Sequence, residues 1–504
     1  MLESNIADQL DLLIRSGQVH RASREIYSIF KSGKITETEK STFANLARRS
    51  GLPLLSLKIL TPIISKDKLG LRSMSKSEML SYAAGLIALG AHQEGEELLL
   101  HPELKNESQS WFFLGISAMN QWEYQKAKKY FLKYLQSSNL TSYQIQTARL
   151  NLSTSMLVIG DLDSARQIIE AAMESIHPEK EKLLQFYFLE QKVQWLIAEK
   201  KYDQALLIIQ KIQSQEKDLP ENYKLTLKKW HLASAFYSKK INTEQLSNDL
   251  NLLENEAYQR SMPELLREID FYRSLFLKDP SAYSRIYFGT SWKPYLKRLE
   301  ENLGQQKHPT SFLWNPRPWQ KISDGSTGTT FDIQRPMNVR YNSMQHKLLW
   351  VLSSDLYRQH SLGSLFHSLY PNEKFDPWTS KDRMMKLLRR TQVVIPSKSN
   401  EYSLKILHKK NKFYLSFDCE LLLPLRPRHL PIEIQQDPLL VAIYNIKKYR
   451  PFTNEDIRKI SDLSESQTYE DLKKIFAKGY IQQLKKRGQT TYCITKKLFP
   501  HPAQ

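Results

Sequence analysis

The sequence predicts a mainly α-helical chain in which a long helical array precedes two small domains of mixed helices and strands. Apolar residues recur at i, i+3, i+4 and i+7 through residues 1–300, the spacing that gathers them on one face of a helix. Glycine is scarce, since 16 occur where an average usage of ~7% would give ~35. This scarcity disfavours glycine-rich sandwiches and nucleotide-binding α/β sheets. Prolines and clustered Ser and Thr over 305–335 mark a boundary, after which short strands alternate with helices.

One segment of the helical array carries a repeat motif. Residues 111–115, Trp-Phe-Phe-Leu-Gly, are followed by Tyr124, Ala127, Phe131 and Tyr134. This order resembles the tetratricopeptide repeat (TPR), whose pattern is W-x-x-L-G, then a tyrosine or leucine, then A-x-x-x-F. The resemblance implies paired helices, with the small Ala127 where the two helices of one hairpin approach closely.

Small residues recur at the equivalent position along the array, in steps of 34, 39, 32, 38 and 40 residues. The ideal period of the family is about 34 residues. A weaker seventh unit runs from Trp230 to Leu253, helices continue over 262–302, and an irregular helical array is the alternative interpretation. The resemblance implies that residues 1–304 form a TPR-like solenoid, which binds a protein or peptide partner or self-associates as a homodimer. The recurring small residues are Ala22, Ser56, Gly95, Ala127, Ala165 and Ala205.

Positive charge is concentrated in the last two-fifths of the chain, whose total net charge is +20. Residues 305–504 contain 33 Lys and Arg against 17 Asp and Glu, whereas residues 1–304 contain 40 against 36. Such asymmetry is typical of a polyanion-binding domain joined to a nearly neutral one. A solubilising surface without a dedicated ligand is the alternative.

After a linker over 305–326, residues 327–420 predict a strand, three helices and a hairpin. The helices are expected over 344–352, 361–371 and 378–391. This order resembles the OmpR/PhoB-type winged helix, the DNA-binding domain of many bacterial response regulators. The residues that carry the resemblance are Met385-Lys386-Leu387-Leu388-Arg389-Arg390 and Phe413-Tyr414-Leu415, although the family's glycine before the tyrosine is missing.

In that family the third helix enters the major groove and the hairpin, or wing, reaches the adjacent phosphates. On a helical wheel Met384, Leu387 and Leu388 share one face, and the cations of the third helix occupy a separate arc. An ordinary solvated helix face is the alternative interpretation of that arc. The resemblance implies groove or phosphate contact for Lys381, Arg383, Lys386, Arg389 and Arg390, and wing contact for Lys409, Lys410 and Lys412.

A second small domain is predicted over 437–498, after a linker over 421–436. Its helices are expected from Pro438, from Thr453 as N-cap, and over 464–480, before a hairpin around 485–489. This layout resembles the winged helix-turn-helix of MarR-like transcription regulators. The third helix is expected to pack Tyr469, Leu472, Ile475 and Phe476 inward, and to expose Gln467 and Lys474 beside Glu470 and Asp471. Two roles stay open: a protein contact, including dimerisation, or a DNA contact through Gln467, Lys474, Lys485, Lys486 and Arg487.

The sequence carries no signature of catalysis, of a cofactor or of a metal site. No H-E-x-x-H, G-x-S-x-G or phosphate-binding loop occurs, and the two cysteines, Cys419 and Cys493, cannot make a metal framework. No apolar run approaches the ~18 residues of a transmembrane helix, and the N-terminus is not a secretory signal. We therefore expect a cytoplasmic, non-enzymatic protein that needs no cofactor and contacts no membrane.

These features predict a sequence-specific transcription regulator that binds double-stranded DNA and receives a protein or peptide partner on its helical array. The alternative is a scaffold subunit of a large complex, because helical repeats also precede a winged helix in PCI-type subunits. In those subunits the winged helices pair with each other, so the basic arc and wings favour DNA. RNA binding is a third interpretation, although the sequence lacks the aromatic stacking motifs of the RRM kind.

Overall fold

The computed structural model describes most of the chain and divides it into two compact units. The N-terminal unit comprises Met1–Asp279, Ser361–His367 and Asn372–Lys381, and the C-terminal unit comprises Pro280–His360, Ser368–Pro371 and Asp382–Gln504. The described residues are 3–68, 73–176, 181–214, 221–291, 293–304, 311–314, 330–334, 336, 338–395, 404–409, 411–417, 419–424, 435, 437–447, 451–461, 463–486 and 489–495.

Fifteen helices make up most of the described N-terminal unit. None of the helices described anywhere in the chain is long and apolar enough to cross a membrane. The helices are α1 (Glu3–Arg15), α2 (Val19–Lys31), α3 (Lys40–Arg49), α4 (Pro53–Lys68), α5 (Lys76–Leu89), α6 (His92–Leu99), α7 (Ser108–Asn120), α8 (Tyr124–Leu135), α9 (Ser142–Ile159), α10 (Leu162–Ser175), α11 (Lys182–Ala198), α12 (Tyr202–Gln213), α13 (Glu221–Tyr237), α14 (Thr243–Gln259) and α15 (Pro263–Phe276).

These helices stack as hairpins whose first members form a continuous layer. Each helix from α1 to α15 contacts the next one along the chain. In addition, each odd-numbered helix contacts the next odd-numbered helix, from α1 with α3 through to α13 with α15. Each hairpin therefore buries its apolar face against its neighbours, as in helical repeat arrays.

The six recurring small residues all lie in the second helices of these hairpins, α2, α4, α6, α8, α10 and α12, and all are buried. The motif segment shows why small residues are needed there. A Cβ atom added to Gly115 of α7 would lie 2.6 Å from the ring of Phe131 of α8, which is fully buried. The expected close approach of two helices in this hairpin is confirmed.

The N-terminal unit also contains two short segments from later in the chain, 361–367 and 372–381. They contact the turn between α5 and α6, where Gly90 has a φ of +89° and a Cβ atom on it would lie 1.9 Å from Ser361 Oγ. Glu94 of α6 accepts a hydrogen bond from the backbone N–H of Phe375 at 2.9 Å, and its carboxylate lies 3.4 Å from Nε2 of His367. The carboxylate of Glu94 therefore makes a polar contact with each of these two segments.

The remaining described helices and the strands follow α15 along the chain. The prediction of a mainly helical chain, with small sheets confined to its C-terminal part, is confirmed. The helices are α16 (Pro280–Gly289), α17 (Lys293–Leu303), α18 (Met344–Leu352), α19 (Leu362–Leu369), α20 (Ser380–Val394), α21 (Pro438–Lys447), α22 (Asn454–Ser461) and α23 (Glu465–Ala477). The strands are β1 (Ser311–Trp314), β2 (Thr330–Asp332), β3 (His360–Ser361), β4 (Leu404–Lys409), β5 (Lys412–Phe417), β6 (Glu420–Pro424), β7 (Ile481–Lys486) and β8 (Gln489–Ile494).

Three small sheets form among the described strands. In the first, β6 lies between β1, to which it is antiparallel, and β2, to which it is parallel. The second has the order β3-β5-β4, and the third is the β7–β8 hairpin. The segments that the sequence predicts to be linkers, 305–326 and 421–436, thus contribute β1 and most of β6. Their pairing joins Ser311 to Pro424 across the chain, a non-local contact that local composition does not reveal.

We call residues 330–424 the first module and residues 437–495 the second module. The second module has its own core, which includes Leu439, Ile443, Ile457, Leu472 and Ile475. Two backbone hydrogen bonds of 2.8 Å join Phe452 to Tyr492 beside the β7–β8 hairpin. Thr453 caps α22 as expected, since its Oγ1 accepts a hydrogen bond from the backbone N–H of Asp456.

One buried histidine of the first module lies in surroundings that favour its neutral form. His346 on α18 is fully buried; its Nδ1 accepts a hydrogen bond from the backbone N–H of Asn342 at 2.9 Å, and its Nε2 lies 3.1 Å from the Ile333 carbonyl oxygen. These partners suit the neutral ring with the proton on Nε2. Burial lowers the pKa of His346 from 6.5 to about 4.

We expect the urea midpoint of this module to fall as the pH is lowered from 6.5 towards 4. The unfolded chain binds a proton on this histidine in that interval and the folded chain does not, so up to ~3 kcal/mol is lost. His346→Gln should flatten the pH dependence, whereas His20→Gln, which changes an exposed histidine, should leave it unchanged. An equal pH dependence in His346→Gln would contradict the assignment.

Candidate nucleic-acid interface

Helix α20 begins at a capping arrangement centred on Asp376. The Asp376 carboxylate accepts hydrogen bonds from the backbone N–H groups of Trp378 at 2.9 Å and Thr379 at 2.7 Å. Ser380 Oγ accepts one from the backbone N–H of Asp376 at 2.9 Å. Caps of this kind satisfy backbone donors that have no partner inside the helix. They therefore favour a helix that begins at this point of the chain.

The two faces of α20 differ sharply in exposure. Met384, Leu387 and Leu388 are buried, and so is Thr391 on the same side. The predicted separation of an apolar face from a cationic arc is therefore confirmed. Lys381 is half-buried at one edge, and the exposed cations are Arg383, Lys386, Arg389 and Arg390.

The cations of this arc keep most of their charge available to a ligand. Among the residues that the structure describes, Lys386, Arg389 and Arg390 form no ion pair or hydrogen bond with another side chain. Arg383 lies over the ring of Tyr370, with Cζ 3.7 Å from the ring centroid. The carboxylate of Asp382 is exposed on the same arc, so four cations face one anion.

The β4–β5 hairpin is attached to the end of α20 by one side chain. Gln392 donates from Nε2 to the Leu404 carbonyl oxygen at 3.2 Å and accepts from the backbone N–H of Ile406 at 2.8 Å. These two bonds hold strand β4 at a fixed position beside the helix. The hairpin is therefore hydrogen-bonded to the helix that carries the cationic arc.

The tip of this hairpin places two lysines opposite each other. Lys409 and Lys412 are directly opposite in the register of β4 and β5, and the turn between them contains Asn411 with a φ of 60°. Like charges directly opposite one another destabilise a strand pair, unless a polyanion neutralises them. The side chain of Lys412 is exposed, that of Lys409 is not described, and Lys410 lies outside the described residues.

The third helix of the second module is involved in a polar network with the segment before α18. Gln467 accepts a hydrogen bond from Arg340 and donates one to Asp471 at 3.1 Å. Asn342 donates to the other oxygen of Asp471 at 3.3 Å. Nearby, Lys347 of α18 forms an ion pair of 3.1 Å with Asp437 at the start of the second module. The side of α23 that carries Gln467 therefore faces protein.

Three predictions for α23 are wrong in detail. Tyr469 and Phe476, expected in the core, are 57% and 47% exposed, whereas Asp471, expected on the surface, is buried. The core of the second module includes Leu472 and Ile475 but neither of the two aromatic residues. Asp471 is buried because the neighbouring amides of Asn342 and Gln467 hydrogen-bond its oxygens.

Several cations of the second module form ion pairs within the module. Lys474 lies 3.3 Å from Asp471, Lys459 lies 2.9 Å from Glu455, and Arg458 lies 3.9 Å from Glu465. In its wing, Lys485 and Lys486 belong to β7 but their side chains are not described, and Arg487 lies outside the described residues. The helix of the first module thus offers more uncompensated charge than the helix of the second.

Sequence reasoning missed three residues of this surface. Gln392 joins α20 to the hairpin, and Arg340 joins the two modules through Gln467. Val393 is 84% exposed and lies, by helical geometry, between Arg389 and Lys386 on the cationic arc. The sequence offered a signal only for Val393, which is an apolar residue among the cations on the helical wheel of α20.

Comparison with known proteins does not assign the chain to a family. No protein-family model matches the chain, and no curated protein matches it at a significant level. Among the described residues, no group of three or more His, Cys, Asp or Glu side chains could hold a metal ion.

Proposed function

We propose that the chain is a transcription regulator that binds double-stranded DNA through the first module. In this proposal α20 enters the major groove, and the β4–β5 hairpin contacts the adjacent phosphates. The observation that carries it is the arc of four exposed cations on α20, three of which have no ion-pair partner among the described residues. Phosphate contacts by such cations release counterions and supply affinity.

The order of elements supports the same proposal. The chain order α18, α19 and α20 followed by the β4–β5 hairpin, with the sheet order β3-β5-β4, agrees with the winged-helix resemblance, in which the third helix reads base edges. Arg389 and Arg390 suit bidentate contacts to guanine, and the exposed Val393 suits contact with a thymine methyl group. Lys386 and Lys412 then serve as phosphate contacts.

We further propose that the second module contacts protein, and that the helical array, as a TPR-like solenoid, receives a protein or peptide partner. The exposed Tyr469 and Phe476 lie on a helix that carries two lysines against three carboxylates, which supports a protein contact. This observation also supports the scaffold alternative, in which the modules bind other subunits and no DNA. The two functions differ in whether the basic arc of α20 binds a polyanion.

The test is binding of the full chain to a random-sequence DNA duplex between about 50 and 200 mM salt, the range over which phosphate contacts change affinity most visibly. We expect log K to fall linearly with log salt, with a slope of about −4 to −6 from the cations of the arc and wing. Duplex RNA is expected to bind more weakly, because its deep, narrow major groove does not admit side chains. Absence of binding near 50 mM salt would contradict the proposal and favour the scaffold function.

A second prediction separates the two modules. Gln467→Ala/Lys474→Ala should leave the affinity for duplex DNA within about twofold, because Lys474 lies beside Asp471 and Gln467 faces Arg340. A loss of tenfold or more in this variant, with its circular dichroism unchanged, would place α23 in the DNA interface.

A further inference from the structure

The turns that follow the odd-numbered helices α1 to α15 share one backbone feature, because each contains a residue with a positive φ. The turns after α1, α3, α5 and α9 contain glycine at this position, and the turn after α7 contains a tryptophan. The turns after α11, α13 and α15 instead contain Lys200, Lys239 and Lys278, with φ values of 61°, 59° and 55°. We call these three lysines the lysine edge.

The residues of the lysine edge lie in neighbouring turns of the N-terminal unit. Helix α13 contacts both α11 and α15, so the turns that follow these helices are adjacent. Aromatic rings two positions from each lysine join the turns. The ring of Tyr237 stacks on that of Tyr202, with 4.6 Å between centroids, and meets that of Phe276 edge-on at 4.9 Å. Successive turns are therefore held about one helix-packing distance apart, ~8–10 Å.

The charge of the lysine edge is not used within the array. Two carboxylates near it are paired with other lysines, since Lys240 Nζ lies 2.7 Å from Asp203 and Lys201 Nζ lies 3.5 Å from Glu199. The three lysines of the edge are exposed, and their side chains form no ion pair or hydrogen bond with another described residue. Three cations in a row therefore remain available to a ligand.

The backbone conformation of these lysines indicates a role beyond folding. A positive φ brings a Cβ atom close to the following carbonyl oxygen, whereas glycine adopts it readily. Four other turns of the array contain glycine at this position, so the fold does not require lysine there. Residues in unfavourable backbone conformations concentrate at functional sites, and here an exposed cation takes the unfavourable position in three successive turns.

A nucleic acid suits this edge better than a protein partner does. Lysine is depleted at protein–protein interfaces, whereas protein–DNA interfaces are much more positively charged. A phosphate contact needs no cavity, and duplex DNA carries one negative charge per ~1.7 Å of helix axis. The charges of a duplex are therefore spaced closely enough for each lysine in the row to meet a phosphate.

We propose that the lysine edge is a second DNA-contacting surface, which binds the phosphate backbone of duplex DNA without reading its bases. The inference rests on the proposed function only in taking duplex DNA as the ligand. It assigns to the helical array a contact with nucleic acid in addition to any contact with a protein partner.

The test is acetylation of the full chain by an N-hydroxysuccinimide ester, quantified at each lysine by mass spectrometry, with and without a random-sequence DNA duplex. We expect acetylation of Lys200, Lys239 and Lys278 to slow at least about threefold near 50 mM salt, and the protection to decline by about 200 mM. Lys34 and Lys129, two other exposed lysines of the unit, should not be protected. Absence of protection at the edge, equal protection at the two control lysines, or equal protection by poly-L-glutamate would overturn the proposal.

The same experiment reports separately on the proposed function, because Lys386 of α20 is acetylated in the same sample. Protection of Lys386 without protection of the lysine edge would overturn this inference alone. Protection of the lysine edge without protection of Lys386 would contradict the assignment of α20 alone.

The variant Lys200→Gly/Lys239→Gly/Lys278→Gly guards against a merely structural effect. Glycine relieves the unfavourable φ, so we expect a higher urea midpoint. In a chain that also carries Lys386→Ala/Arg389→Ala/Arg390→Ala, we expect the slope of log K against log salt to become less negative by a further ~2.7, from three lost phosphate contacts. Misfolding cannot produce both results.

The matched control in the same background is Arg24→Ala/Lys34→Ala/Lys129→Ala, which removes three exposed cations of the N-terminal unit. We expect it to leave the salt slope of its parent unchanged. An unchanged slope in the glycine variant, or an equal change in this control, would overturn the proposal.

Discussion

The variant Lys386→Ala/Arg389→Ala/Arg390→Ala is expected to bind duplex DNA at least about 100-fold more weakly than the wild-type chain near 50 mM salt. Each lost contact is expected to cost ~1–3 kcal/mol, and each ~1.4 kcal/mol is tenfold in affinity. On random-sequence DNA, where no specific base contact is made, each of the three cations is expected to neutralise a phosphate. The slope of log K against log salt should therefore also become less negative by about 2.7, since each phosphate contact contributes about 0.9. Fluorescence anisotropy with a labelled random-sequence duplex measures both quantities.

The matched control is Arg24→Ala/Lys34→Ala/Lys129→Ala, which removes three exposed cations of the N-terminal unit. It changes the net charge of the chain by the same amount but leaves α20 intact. We expect its affinity and salt slope to stay close to those of the wild type. Equal losses in the two variants would mean that net charge, and not the arc on α20, produces binding.

The second large effect concerns the stability of the hairpin formed by α7 and α8. Phe131 is fully buried, and its ring fills the space above Gly115. Phe131→Ala should therefore destabilise the N-terminal unit by ~3–5 kcal/mol, the usual cost of truncating a buried phenylalanine. A lower urea midpoint, followed by circular dichroism at 222 nm, is the measurement.

Gly115→Ala tests the same contact from the other side. In the wild-type background the added Cβ atom would lie 2.6 Å from the Phe131 ring, and we expect a net destabilisation because overpacking of ~1–3 kcal/mol exceeds the helix propensity gain of ~1 kcal/mol. In the Phe131→Ala background the ring is absent, so the same change should stabilise the chain.

Leu132→Ala is the control, because Leu132 follows Phe131 on α8 but is 41% exposed, and its truncation should have a much smaller effect. Additive effects of the Gly115 and Phe131 changes would show that the two residues do not share one contact.

Local sequence patterns predicted much of this structure. The helical period placed Met384, Leu387 and Leu388 on the buried side of α20, because the spacing of apolar residues determines which face of an amphipathic helix is buried. Similarly, Thr453 was identified as a cap because capping depends on residues three positions apart. The small residues of α2 to α12 were located by their repeat spacing.

Features that depend on distant partners were not predictable in this way. Asp471 is buried because Asn342, 129 positions earlier, donates to it, and no local pattern contains that information. Tyr469 and Phe476 were placed in the core on their hydrophobic character, yet the core of the second module is centred on the Leu472 side of α23. The pairing of β1 with β6 is non-local in the same sense.

The central claim is that α20, and not α23, lies against DNA, and site-directed photocrosslinking tests it most directly. Benzoylphenylalanine is introduced at Val393, in the middle of the cationic arc, and separately at Tyr469, the exposed aromatic residue of α23. Both substitutions keep every cation of the chain. With a labelled random-sequence duplex, we predict a crosslink from position 393 and none above background from position 469. A crosslink from position 469 alone would contradict the account.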